Sequence, residues 1–343
     1  MPEYKLALIG FGNVGRALVQ LLLDKSDDLR LRHDIRWRVV GIATRSRGMA
    51  INPAGLDLPT AIQLSEAGQS LESLHVGHPI DNTIEFIQRC DADLLFEISS
   101  LNPETGQPAL DYIRTALNNG MHVATANKGP VVHAYRELRD LAEQQGRRFF
   151  FESTVMDGTP IFSLFRETLP ASNVLKLRGV LNSTTNLILT RMAAGIPYAD
   201  ALAYAQEIGI AETDPTNDVE GWDAAVKVAA LVTVLMDYTL KPQDVDRQGI
   251  TDLSLEEVHA AERAGTPIKL LCTAERLPTG GVAASVRPTR LPTSDPLAHL
   301  TATSSAIAFT LDTLKQIVIT GIDPGPRQTA YGLLADFINI VRG

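Results

Sequence analysis

Two lysines and a scatter of carboxylates carry the candidate chemistry of this chain. Lys227 lies inside "WDAAVKVAALVTVLM", a helical pattern that is apolar almost all round, one turn after Asp223. At i, i+4 spacing the two side chains share a helix face. Ala224, Ala230, Leu231 and Val234 share it too, so the pair is expected to point inward, where an ion pair is costly unless it has a task. Burial lowers a lysine's pKa toward the range where it exchanges protons near neutrality, and a neighbouring carboxylate opposes that shift. Lys128 in "TANKGPV", Glu152 in "ESTVMDGTP", and Glu212 and Asp218 in "AETDPTNDV" are further charged groups in segments rich in turn residues. Alone, these residues also fit a helix salt bridge, a capping lysine and solvated loop acids.

A nucleotide site is legible near the amino terminus. "GFGNVG" sets Gly10, Gly12 and Gly15 at the G-x-G-x-x-G spacing, directly after the strand-like "YKLALIG" and at the start of the helical "NVGRALVQLLLD". In that context Gly10 permits a tight turn, Gly12 lets the backbone approach a pyrophosphate, and Gly15 lets helix and strand pack closely; the helix amino terminus offers N–H groups to anionic oxygens. The fingerprint residues Gly10, Phe11, Gly12, Asn13, Val14 and Gly15 are therefore read as cofactor-binding. The second strand ends in "GIATRSRG", with Thr44, Arg45, Ser46 and Arg47 where an NAD site would carry an acid for the ribose. Guanidinium groups bind phosphate oxygens in a bidentate manner, so NADP is favoured over NAD.

These residues need a frame. Strand-like runs at 4–10, 37–44, 93–99, 121–126 and 147–154, with amphipathic helices between the later ones, predict an α/β, Rossmann-type parallel sheet covered on both faces. Beyond about residue 152 the rhythm changes. "NVLKLRGVL", "IKLLCTAERL", "GVAASVRPTRL" and "QIVITG" accompany two long helices, which predicts a second α+β domain with a largely antiparallel or mixed sheet. The expected division is 1–151 for the dinucleotide-binding domain, completed by a carboxyl-terminal helix within 322–343, and 152–321 for a substrate-binding, catalytic and dimerisation domain.

With 343 residues, 45% hydrophobic and 21% charged, the chain has the profile of a folded two-domain protein rather than a disordered one. A net charge of −9 without a basic patch argues against nucleic acid or an anionic membrane as partner. Cys90 and Cys272 lie far apart and suggest buried, reduced thiols. His75 and His78 have no recognisable metal spacing. The amino terminus runs straight into a strand, so a cytoplasmic location is expected.

The fingerprint, the "ATANKGP" after a late strand and above all "AQEIGIAETDPTNDVEGWDAAVK" resemble homoserine dehydrogenase, in a short form without a carboxyl-terminal regulatory domain. Inhibition by threonine through such a domain is therefore not expected. "TSSAIAF" departs from the Asn-Ala often found in the family at that place. The resemblance implies reversible, NADP- or NAD-dependent interconversion of L-aspartate 4-semialdehyde and L-homoserine, and a homodimer. It implies catalytic roles for Lys227, Lys128 and Asp223, a substrate-ammonium site at Glu212 supported by Asp218, a substrate contact at Lys128, and nicotinamide-side contacts at Ser99 and Lys128. It also implies a monovalent cation such as sodium on main-chain oxygens of Glu152, Val155, Asp157 and Thr159. The residues alone leave two other readings open. One is a different NAD(P)-dependent oxidoreductase of an amino-acid-derived carbonyl on the same scaffold, and the other a non-enzymatic dinucleotide sensor.

Overall fold

The computed structural model describes residues 2–343. They form two compact units, one running to Pro160 and taking in Gly325–Gly343, the other Ile161–Pro324. Along the first unit run β1 (Glu3–Ile9), α1 (Asn13–Asp24), α2 (Ser26–His33), β2 (Arg36–Ala43), β3 (Met49–Ile51), α3 (Leu58–Glu66), α4 (Thr83–Arg89), β4 (Leu94–Glu97), α5 (Ala109–Asn118), β5 (His122–Thr125), α6 (Lys128–Gln144) and β6 (Phe149–Phe150). The sheet order is β3-β2-β1-β4-β5-β6. All neighbours are parallel except the edge strand β3, which runs antiparallel to β2. Leu6, Ala7 and Leu8 of β1 are wholly buried, as a continuous apolar strand covered on both faces requires. Strand order reverses between β1 and β4, so a crevice opens beyond their carboxyl ends.

The carboxyl-terminal helix, Pro326–Arg342, belongs to this unit. Its Leu333, Phe337 and Ile340 share a core with Leu6, Leu8 and Phe96, and Phe337 meets Tyr4 edge-on at 5.8 Å. The residues just after β6 dock on the same helix. The Glu152 N–H donates to Asp336 Oδ2 (2.8 Å), Ser153 Oγ to the Thr329 carbonyl (2.7 Å), and Thr329 Oγ1 to Asp157 Oδ1 (2.8 Å). These bonds keep residues 152–160 with the first unit, so the division falls at Pro160 rather than at the 151/152 step suggested by the change of pattern. The strand expected over 147–154 is shorter for the same reason: after Phe150 the chain turns into a single 3₁₀ turn, Glu152–Thr154.

The second unit comprises β7 (Val174–Val180), α7 (Ser183–Ala193), α8 (Tyr198–Glu207), α9 (Thr216–Val219), α10 (Trp222–Leu235), β8 (Asp246–Arg247), α11 (Leu255–Arg263), β9 (Ile268–Arg276), β10 (Val282–Arg290), β11 (Ser305–Leu311) and β12 (Gln316–Gly321). Its sheet runs β12-β11-β7-β9-β10-β8 and is antiparallel apart from the two-residue β8. β11, unrecognised in the sequence, is an interior strand between β12 and β7. From Ala224 to Val232 every residue of α10 except Lys227 is at most 2% exposed. Cys90 and Cys272 are free and buried, and burial pushes both thiols up to about 12. No helix among the described residues is long and apolar enough to cross a membrane.

Close backbone approach holds the 152–160 segment in place. A Cβ on Gly332 would lie 2.4 Å from Ser153 Oγ and 2.9 Å from the Gly158 Cα. Gly332→Ala should therefore push the two backbones apart, lowering stability by about 1–3 kcal/mol, read as a fall of several degrees in the thermal midpoint.

Candidate active site

A cleft of about 1340 Å³ lies beyond the carboxyl ends of β1, β2 and β4. Gly10, Phe11 and Gly12 line it from the β1 turn, Thr44, Arg45, Ser46 and Arg47 from the β2 loop, and Ser99 to Pro103 from the β4 loop. Asn13, Val14 and Gly15 begin α1, whose N-cap is Gly12. With no side chain capping it, this helix start has first-turn amides for an anion. The glycines divide the work. Gly10 sits at φ +96°, and a Cβ there would lie 2.3 Å from the Ile98 carbonyl oxygen; one on Gly15 would lie 2.6 Å from the Gly10 oxygen. A Cβ on Gly12 would meet nothing within 4 Å, so that position faces open space where a ligand can approach the backbone.

The β2 loop is organised by Thr44. Its hydroxyl donates to the Gly48 carbonyl (2.9 Å) and accepts from the Arg47 N–H (2.8 Å), which engages that hydroxyl in shaping the loop. Arg45 and Ser46 are exposed. Arg47 Nη1 lies 3.3 Å from Ser65 Oγ, and Arg16 Nη1 approaches the same oxygen at 3.2 Å. Arg16 thus brings a third guanidinium to this corner of the fold. Its only sequence signal was its place just after the third glycine.

Between the β4 and β5 loops lies a carboxylate that sequence reasoning missed. Glu97 is wholly buried at the end of β4. Its Oε1 accepts from the Ser99 N–H (2.8 Å) and, at short range, from the Ser99 hydroxyl; its Oε2 accepts from Thr125 Oγ1 (2.8 Å). Burial pushes its pKa up, against the pull of these donors. Thr125 Oγ1 in turn accepts from the Asn127 N–H (2.9 Å), and Asn127 caps α6 by accepting from the Gly129 N–H (3.0 Å). Lys128, the first residue of α6, is partly buried and is not among the residues lining the cleft. Ser99 lines the cleft, and its amide and hydroxyl are both engaged by Glu97.

In the second unit Asp218, Asp223 and Lys227 form one cluster. Lys227 Nζ lies 2.8 Å from Asp223 Oδ2, with side chains 16% and 17% exposed, and donates to the Leu181 carbonyl at 2.7 Å. The Asn182 amide reaches Asp218 Oδ1 (2.6 Å) and Asp223 Oδ2 (3.0 Å). Burial first, and the Asp223 charge second, push the Asp218 pKa up. Glu212 lies apart from these bonds on the exposed loop after α8, where Gln206 Nε2 donates to its carbonyl (3.2 Å).

Residues 152–159 make a turn in which Met156 and Asp157 both take φ +57° and the Thr159 N–H donates to the Met156 carbonyl (3.1 Å). His75 is structural, with Nδ1 3.0 Å from the Ile51 amide and Nε2 2.7 Å from the His78 carbonyl. No group of three or more His, Cys, Asp and Glu among the described residues could hold a metal ion.

A glycine-turn cleft at the switch point of a doubly wound sheet, joined in one chain to an antiparallel domain carrying a buried lysine and carboxylates, defines a nicotinamide-dinucleotide-dependent oxidoreductase. The family models for "Homoserine dehydrogenase, NAD binding domain" and "Homoserine dehydrogenase" match residues 10–152 and 160–338. The chain belongs to the homoserine dehydrogenase family. It is 38% identical over 341 residues to an NAD(+)-dependent homoserine dehydrogenase of Pseudomonas canavaninivorans, covering 99% of this chain and 97% of that one. The crystal structure of a homoserine dehydrogenase from Thiobacillus denitrificans superposes with a TM-score of 0.85 at 30% identity, covering all of this chain and 74% of that one. A hyperthermophilic archaeal homoserine dehydrogenase in complex with NADPH gives 0.84 at 29% identity, covering 99% and 98%.

Glu97→Ala should orphan the partly buried Ser99 amide, costing about 1–3 kcal/mol, and loosen the β4 loop. The melting temperature should fall and the dissociation constant for NAD(P)H rise, whereas Glu97→Gln, which keeps an acceptor for Ser99, should be milder in both.

Proposed function

We propose that this protein interconverts L-aspartate 4-semialdehyde and L-homoserine, with Lys227 managing the proton at the C4 oxygen. The observation that carries this is the Lys227 ammonium held 2.7 Å from the Leu181 carbonyl and 2.8 Å from Asp223 in a nearly dry setting. A bound nicotinamide dinucleotide supplies or receives the hydride. Lys227 polarises the aldehyde oxygen and delivers or relays the proton that this oxygen needs as it becomes an alkoxide. Asp223 holds the ammonium in one geometry. Lys128 is the second cation for the developing charge, Glu212 takes the substrate ammonium, and Asp218 supports that site. Ser99 places the β4 loop beside the nicotinamide. A dinucleotide sensor would have no use for a buried lysine–carboxylate cluster, and that observation favours the enzyme reading.

NADP(H) is the preferred cofactor in this reading, supported by the arginines of the β2 loop and by the absence of an acid at 44–47. A monovalent cation, sodium being the fitting example, sits on the main-chain oxygens of Glu152, Val155, Asp157 and Thr159. Two successive left-handed non-glycine residues there are the kind of strained backbone retained where carbonyls have to be aimed. The chain acts as a homodimer on a small-molecule substrate, as the family resemblance implies; the cytoplasm is the location the amino-terminal pattern supports, and the net charge of −9 argues against nucleic acid or an anionic membrane as partner.

Lys227→Ala should lower kcat by roughly 10²–10⁴ while cofactor affinity changes little; Lys128→Ala should be comparably damaging and Asp223→Asn less so. A folded Lys227→Ala enzyme with wild-type turnover would refute the assignment. Comparing kcat/KM for the two cofactors should favour NADP(H), and Arg45→Ala with Arg47→Ala should shift the ratio toward NAD(H) by about 10–100-fold; an unchanged ratio counts against the arginines. Sedimentation equilibrium should give twice the 37.2 kDa chain mass, and the melting temperature should rise with sodium but not with tetramethylammonium.

A further inference from the structure

We infer that Asn182 is a positioning residue for the Lys227–Asp223 pair, acting as a neutral clamp between two carboxylates; this rests on the catalytic role given to Lys227 above. Asn182 stands at the turn from β7 into α7, only 4% exposed. It is the N-cap of α7 and in extended conformation, φ −122° and ψ 114°. Its Oδ1 accepts from the Thr185 N–H at 2.8 Å and from Thr185 Oγ1 at 2.9 Å.

A backbone N–H can only donate, so the atom facing Thr185 must be the amide oxygen and the side chain cannot be flipped. The NH₂ group is thereby aimed at the acids. One proton serves Asp218 Oδ1 at 2.6 Å and the other Asp223 Oδ2 at 3.0 Å. Asp223 Oδ2 is the same oxygen that holds Lys227 Nζ at 2.8 Å, and the preceding residue supplies the Leu181 carbonyl that holds Nζ from another side. One turn of chain thus fixes both ends of the ion pair. The helix cap dictates the amide's orientation, and the amide sets where the carboxylate can stand.

A neutral donor suits this place better than a charged one. Asp218 and Asp223 repel each other, and the like charge is among the causes that push the Asp218 carboxyl up. Two amide protons relieve that repulsion without adding a cation to compete with Lys227 for Asp223. Without them Asp223 would lose a donor that sets its carboxylate against Lys227, and the geometry of the ammonium would loosen.

The test uses full-length Asn182→Ser and Asn182→Asp enzymes. Both replacements are good N-caps, so α7 keeps its start, but neither has the paired donors. Both are expected to melt within a few degrees of wild type, to keep cofactor affinity within about twofold, and to lose about 10–100-fold in kcat, the scale of one or two lost hydrogen bonds to charged groups. Asp should be the worse, since it adds a third acid. A role as a helix cap alone would be kept by both replacements and would leave kcat at the wild-type value. The coupling is read in an Asp223→Ala background, where Asn182→Ser should cost less than about twofold further because the acceptor it positions is gone. Wild-type kcat in either folded Asn182 variant, or full multiplication of the two losses in the double variant, overturns the proposal. If Lys227→Ala itself retains full turnover, the parent reading fails instead, and the two failures are distinguished.

Discussion

An ion pair placed inside an apolar helix governs how the second unit is built. Asp223 and Lys227 project from one face of α10, whose other residues between Ala224 and Val232 are nearly all inaccessible to water. Removing two charges from solvent costs several kcal/mol apiece, and their mutual attraction offsets that only with good geometry and further hydrogen bonds. The β7–α7 turn supplies those bonds through the Leu181 carbonyl and the Asn182 amide. Adjacent residues of one turn can serve both charges because the turn opens a helix, which fixes the orientation of its capping side chain.

The first unit solves a related problem around Glu97. Loops leaving neighbouring parallel strands normally diverge, yet this carboxylate receives donors from both the β4 loop, through Ser99, and the β5 strand end, through Thr125. Its donors are neutral, the Ser99 amide and hydroxyl and the Thr125 hydroxyl, and they compete with the desolvation that raises its pKa. The arrangement couples the backbone that lines the cleft to the cap from which α6 and Lys128 start. Glycine handles the remaining constraint, close approach: Gly10 and Gly15 bring turn, strand and helix together. Gly158 and Gly332 do the same for the segment after β6 and the carboxyl-terminal helix.

Much of this could be read from residue order. The G-x-G-x-x-G turn identified the switch-point cleft because its meaning depends only on a strand before it and a helix after it. The i, i+4 spacing of Asp223 and Lys227 identified the ion pair because helix geometry sets that distance locally. The interior strand β11 escaped notice for an equally physical reason. Its "SAIAFTL" is buried at almost every position, and a short continuous apolar run lacks the alternation that separates strand from helix.

By itself the sequence determined the fold class, the glycine turn between strand and helix and the inward-facing lysine, since each is encoded by spacing within about one element. Only the tertiary structure decided which groups complete them. Asn182 stands far along the chain from Asp223, Arg16 reaches Ser65 across two helices, and Glu97 reads in sequence as one more polar residue at a strand end. It also drew the boundary at Pro160, where hydrogen bonds to a helix almost two hundred residues later outweigh the local change of pattern. Such partners are chosen by how elements pack, and packing joins residues that no local periodicity relates.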